Sequence, residues 1–176
     1  MKELLITSGF PRSGSTYLNQ ALNLLYYPEQ EVNYNRHTVV AIEKSEKIMV
    51  TFRHPLNSIA SWQKYPSGAE LKADISFYIR FYSHMLNSLH KIVPMDFDQF
   101  TTSINYIEEK VRNNFNVESI LQVTDLQVKE AMLNNDKEIN LPRNNKEELQ
   151  VVKDLLVTMP RFNECINLHA QLKQVG

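Results

Sequence analysis

Glycine is scarce in this chain: four residues in 176, one of them the terminal Gly176. Two of the other three, Gly9 and Gly14, fall in one short stretch, so tight backbone turns or close approaches are concentrated there. Cysteine is nearly absent. The lone Cys165 excludes an intramolecular disulfide and reads as a small apolar residue buried in a helix. An excess of charge of one sign is also missing. With 19 basic and 20 acidic residues the net charge is −1, which excludes a global basic field for nucleic acid or an anionic membrane. Any anion site must therefore be local. No apolar run approaches the ~20 residues that span a bilayer. Met1-Lys2-Glu3 leads straight into an apolar segment without a signal-type h-region, so a soluble, cytosolic protein is expected. No His, Cys, Asp or Glu set has metal-ligand spacing, and no metal is expected. What is present is a hydrophobic content of 43%, enough over this length for a single domain, 1–176, with a full core.

Periodicity and breakers order the chain. Residues 4–7 form an apolar run that reads as a central parallel strand. Residues 15–27 read as a helix ended by Pro28. Polar residues 29–35 read as loop, and β-branched residues 38–42 as a short strand. Residues 48–52 are the second clear strand. Pro55 suits the first turn of a helix running to about residue 64. Residues 69–90 carry the longest helical stripe. Residues 91–95 read as a strand, with Pro94 marking an edge or strand end. Helix is expected over 99–114, strand or loop over 117–123, a short helix over 125–134 and a polar loop over 134–145. Two helical segments, 147–157 and 161–174, close the chain. The alternation predicts an α/β fold: a three-layer domain with a short, mostly parallel sheet flanked by helices. In such sheets ligands bind beyond the carboxyl ends of the strands.

The stretch LLITSGFPRSGSTYL, residues 4–18, runs from strand through loop to helix N-terminus. First-turn N–H groups and the helix dipole there favour a phosphate or sulfate. A Walker A loop would need Lys directly before Ser or Thr. Here Ser15 holds that place, and the cation is Arg12, earlier in the loop. A second constellation follows the strand 48–52. Arg53 stands at the strand's end and Ser61 lies within the helix that Pro55 begins. The two could converge on one anion, Arg53 through charge-assisted hydrogen bonds.

Together these stretches resemble the sulfotransferases. GFPRSGSTYL is similar to the family's 5′-phosphosulfate loop, P-[KR]-S-G-[TS]-T followed by an aromatic or aliphatic residue. VTFRHPLNSIASW is similar to its 3′-phosphate segment, in which Arg53, Pro55 and Ser61 fill the spacing. IVPMDFDQF resembles the family's strand leading to an acidic-aromatic turn. The resemblance implies a P-loop-type fold with 3′-phosphoadenosine 5′-phosphosulfate (PAPS) as donor and 3′-phosphoadenosine 5′-phosphate (PAP) as product. The acceptor would be an alcohol, phenol or amine. It implies Arg12 as the cation on the bridging and leaving oxygens. Ser13, Gly14, Ser15 and Thr16 would form the N–H and hydroxyl cradle. Tyr17 would be the aromatic that stacks on adenine, and Arg53 and Ser61 the 3′-phosphate ligands.

Two departures stand out. The interval from Thr16 to Arg53 is shorter than in the cytosolic small-molecule enzymes, and no Arg-Lys-Gly triplet lies near the C-terminus. Arg143 is a weak substitute. Transfer also needs a general base. His37, in NRHTVV, resembles the family's K-T-H segment; Glu29 and Glu31 are the carboxylate alternatives. Two other functions stay open at this level: a P-loop nucleotide or small-molecule kinase, and a nucleotide-binding module without turnover.

Overall fold

The computed structural model describes residues 4–26, 31–34, 37–44, 46–63, 71–115, 117, 119, 121–134 and 146–176. Four strands form one sheet: β1 (Leu4–Gly9), β2 (Glu31–Tyr34), β3 (Ile48–Phe52) and β4 (Ile92–Asp96). Their order is β2-β1-β3-β4 and every pairing is parallel, with Leu5 opposite Val32, Ser8 opposite Val50 and Val50 opposite Pro94. Parallel strands bury both faces, and β3 and β4 are buried along their whole length.

Side-chain alternation sends β3 residues to two separate cores. Ile48, Val50 and Phe52 meet α3 (Pro55–Gln63), α4 (Leu71–Asn87), α8 (Lys146–Thr158) and α9 (Phe162–Val175) on one face. Met49, with Leu5, Val93 and Met95, meets α1 (Ser15–Tyr26), α6 (Ile104–Phe115) and α7 (Asp125–Asn134) on the other. This is the expected three-layer α/β arrangement. Cys165 is buried in α9, as expected. Burial pushes its thiol up to about 12, which leaves it unreactive. No helix among the described residues is long and apolar enough to cross a membrane.

Three elements differ from the sequence reading. Residues 31–34, read as loop, form β2 along the edge of β1. The segment is short and polar, with Asn33 exposed, so it carries little strand signal of its own. Of residues 38–42, read as a β-branched strand, 39–42 belong instead to the helix α2 (Val39–Lys44). Ile42 is fully buried, Val39 packs against the same core one turn earlier, and Val40 is 45% exposed. That is helical spacing, and packing overrides the strand preference of valine. The single helix expected over 99–114 is split into α5 (Phe97–Phe100) and α6. Between them Thr101 Oγ1 donates to the Phe97 carbonyl at 2.6 Å and Thr102 Oγ1 to the Asp98 carbonyl at 2.9 Å. Such local bonds compete with helix continuation. Asp125 then caps α6 from outside, its Oδ1 accepting from Ile104 N at 2.6 Å. Pro94 lies on β4, an edge of the described sheet, where proline is tolerated. The described residues within 117–123 form no strand, and 135–145 lie outside the described residues.

Candidate functional site

The loop after β1 is shaped by two glycines. A Cβ on Gly9 would lie 2.0 Å from Thr51 Oγ1 and 2.6 Å from Ser13 Oγ, so nothing larger fits between β1 and β3. Gly14 has φ +95°, and a Cβ there would lie 2.5 Å from Phe97 Cδ2. Arg12 also sits in the left-handed region at φ 63°, a strained conformation for a non-glycine residue. The turn is closed by Ser13, whose N–H donates to the Phe10 carbonyl at 3.1 Å and whose hydroxyl donates to the same oxygen at 2.6 Å. Ser13 Oγ is also 2.7 Å from Thr51 Oγ1. Both polar groups of Ser13 are therefore spent inside the fold. This departs from the expected place of Ser13 in a cradle; Gly14, Ser15 and Thr16 stand at the start of α1. Ser15 is buried and Thr16 half-buried.

Arg12, Arg53 and Ser61 do converge. Arg12 Nε donates to Ser61 Oγ at 3.1 Å, and Arg53 Nη1 donates to the Arg12 carbonyl at 3.3 Å. Arg53 leaves the end of β3, whose last carbonyls are held by α4. Tyr82 Oη donates to the Thr51 carbonyl at 2.9 Å and Tyr78 Oη to the Arg53 carbonyl at 3.1 Å. α3 begins at Pro55, and His54 caps it: its carbonyl accepts from Asn57 N at 3.0 Å and its Nδ1 from Leu56 N at 3.3 Å. The cap fixes the rotation that brings Ser61 to Arg12.

The Arg53 guanidinium lies 4.1 Å above the Phe97 ring and is half-buried. Burial lowers its pKa; nearby Asp98 opposes that shift and Arg12 adds to it. Among the described residues no carboxylate comes within ion-pair distance of Arg53. Arg53 is thus a partly desolvated cation near a second cation, with no carboxylate partner among the described residues.

His37 reaches over the end of β1, with Nδ1 2.6 Å from the Gly9 carbonyl. A carbonyl only accepts, so Nδ1 carries a proton and donates to Gly9. The residue has φ 26°, a further strained backbone position in this region. Its ring is 6.4 Å from that of Trp62. Trp62 is itself tethered, its Nε1 donating to Asp74 Oδ1 at 3.1 Å while Gln63 donates to Oδ2. Asp74 is 2% exposed; burial raises its pKa and these two donors oppose the rise. Glu29, the side chain of Glu31 and Arg143 lie outside the described residues.

Tyr17 turns into the helical layer, 5.9 Å from the Phe100 ring, with its hydroxyl buried and burial raising its pKa. The structure thus brings it to Phe100 and not to the Arg12–Arg53 pair.

Two features escaped the sequence reading. One is the placement of Phe97 beneath Arg53; the sequence showed Phe97 only as part of the acidic-aromatic turn after residues 91–95. The other is a histidine pair. His54 and His169 lie ring to ring at 5.0 Å, and His169 Nε2 is buried without a hydrogen-bond partner among the described residues. Burial lowers both pKa values. Lys153 and Lys173 lower His54 further, and His54 and Lys173 lower His169, while Asp98 raises both and Asp96 raises His169. The folded protein therefore takes up these protons less readily than the unfolded chain. The stability this protects is intact above the ordinary value of 6.5 and is lost as pH falls from there through the lowered values. Thermal melting at about pH 7.5 and about pH 5.5 should show an acid-side fall that is smaller in His169→Gln. An equal fall in both proteins would remove the pair as its source.

A comparison with solved structures finds a sulfotransferase domain from the curacin biosynthetic pathway. It is 12% identical, with a TM-score of 0.54, and the match covers 89% of this chain and 98% of that one. No protein-family model and no curated protein matches the chain. At this identity the likeness speaks to architecture: the chain has a sulfotransferase-like α/β fold.

Proposed function

We propose that residues 1–176 form one sulfotransferase domain that moves a sulfuryl group from PAPS to a hydroxyl or amine of an acceptor. One observation carries this reading. The Arg53 guanidinium donates to the Arg12 backbone carbonyl while the Arg12 side chain donates to Ser61, the Arg12 charge is near enough to lower the Arg53 pKa, and Arg53 has no carboxylate partner among the described residues. Like charges so placed call for a multiply charged anion.

The residues present suit such a nucleotide. Gly14 keeps the loop open where a Cβ would collide with Phe97, and Arg12, Arg53 and Ser61 supply a cationic, hydrogen-bonding wall. The donor, when bound, supplies an activated sulfuryl group and a phosphate leaving group. Arg12, Gly14, Ser15 and Thr16 would hold the 5′ side and offset charge at the leaving oxygen. Arg53 and Ser61 would hold the 3′-phosphate. His37 Nε2 would receive the acceptor's proton, with Nδ1 anchored on Gly9. The kinase alternative lacks a lysine at Ser15, where a Walker A loop requires one.

Calorimetry with PAP against ADP tests the assignment. PAP should bind more tightly. Arg53→Ala should weaken it by about 1.5–3 kcal/mol, roughly 10- to 150-fold, as expected for a charged hydrogen-bonded contact. A preference for ADP would sink the reading.

A further inference from the structure

We propose that Phe97 is a positioning residue that sets where Arg53 presents its charge, and so governs selection for a 3′-phosphate. The proposal rests on the sulfotransferase reading for its ligand, but its geometry stands apart from it. The guanidinium carbon of Arg53 lies 4.1 Å from the centre of the Phe97 ring, within cation–π range. The same ring closes against the anion loop, with its Cδ2 and Cε2 2.5 Å and 2.9 Å from where a Gly14 Cβ would stand. Phe97 therefore touches both halves of the candidate site, and neither half can shift without meeting it.

The ring is itself well fixed. Phe97 opens α5, and the preceding residue, Asp96, caps that helix by accepting from Asp98 N at 3.0 Å. Asp96 is 3% exposed and is held by the Lys173 ammonium from α9. Phe100 meets the Phe97 ring nearly edge-on at 5.7 Å. Arg53, by contrast, has among the described residues one hydrogen bond from its guanidinium, to the Arg12 carbonyl. One hydrogen bond leaves a long side chain free to swing. A ring under the guanidinium plane confines it while leaving the remaining N–H donors open at the edge. Few residues besides an aromatic supply a flat face of this kind, which separates this role from simple packing.

Phe97→Met keeps the approximate volume and removes the π face; Phe97→Tyr keeps the face. Calorimetry on the full chain with PAP and with AMP, which lacks the 3′-phosphate, reads the effect. Phe97→Met should weaken PAP by about five- to thirtyfold and leave AMP within about twofold, while Phe97→Tyr stays near wild type. In an Arg53→Ala background the Phe97→Met effect on PAP should vanish. A second readout needs no nucleotide: phenylglyoxal labelling mapped by peptide mass should modify Arg53 faster in Phe97→Met and not in Phe97→Tyr. Equal weakening of PAP and AMP, tyrosine failing as methionine does, or unchanged Arg53 labelling in Phe97→Met would overturn the proposal. If wild type shows no preference for PAP, the sulfotransferase reading fails, and the labelling still decides whether Phe97 positions Arg53.

Discussion

Arg12→Ala should slow sulfuryl transfer by about 10²–10³-fold, the usual effect of deleting one preorganised donor at a developing negative charge. Nucleotide binding should change far less. The reason is the split between what Arg12 does with its side chain and with its backbone. Its carbonyl holds Arg53, and that bond survives the substitution. Its guanidinium, positioned by Ser61, does not survive. Strain can be separated from charge at the same position. Arg12 has φ 63°, where glycine is favoured over alanine by roughly 1 kcal/mol. Arg12→Gly should therefore melt higher than Arg12→Ala yet be equally slow. Single-turnover formation of PAP, set beside calorimetric binding, checks both points. Loss of binding alone in Arg12→Ala, with the chemical step intact, would remove Arg12 from the catalytic role.

The second large effect is expected at His37. A positioned base contributes about 10²–10⁴-fold, and His37→Ala should lose that factor in turnover with little change in PAP affinity. His37→Gln is the sharper probe. Its amide can still donate to the Gly9 carbonyl but cannot accept a proton as imidazole does. It should preserve the local fold and be as slow as alanine. The pH–rate profile should also lose its acid limb in both variants. Turnover at the wild-type level with an acceptor panel would transfer the role to Glu29 or Glu31.

The framework around the site was legible because strong local signals coincided there. The apolar run before Gly9, the glycines of the loop and the stripe of α1 all agree, as do β3, Arg53 and Pro55. Elements whose existence depends on neighbours were not legible. β2 is a polar four-residue edge that β1 recruits. α2 is a β-branched segment turned helical by the burial of Ile42. The break between α5 and α6 depends on which carbonyls the Thr101 and Thr102 hydroxyls reach. At the site, spacing suggested that Arg53 and Ser61 could share one anion, and the resemblance to the sulfotransferases set Arg12 beside them. They did not reveal that Ser13 faces inward, since a serine in a loop reads the same whichever way its hydroxyl turns. Phe97 was hidden for a related reason. Its contact with Arg53 joins segments that only the pairing of β3 with β4 brings together.

That β1 and β3 are immediate neighbours has a further consequence. The backbones bearing Arg12 and Arg53 leave the sheet about 4.8 Å apart, a spacing common to all β-sheets. It acts as a ruler that the intervening chain cannot stretch. Segments between α1 and β3 can be trimmed or lengthened while the two guanidinium groups keep their separation. If the chain is a sulfotransferase as proposed, the compact interval between Thr16 and Arg53 would bear on what surrounds the acceptor and leave the spacing of the two arginine-bearing strands untouched.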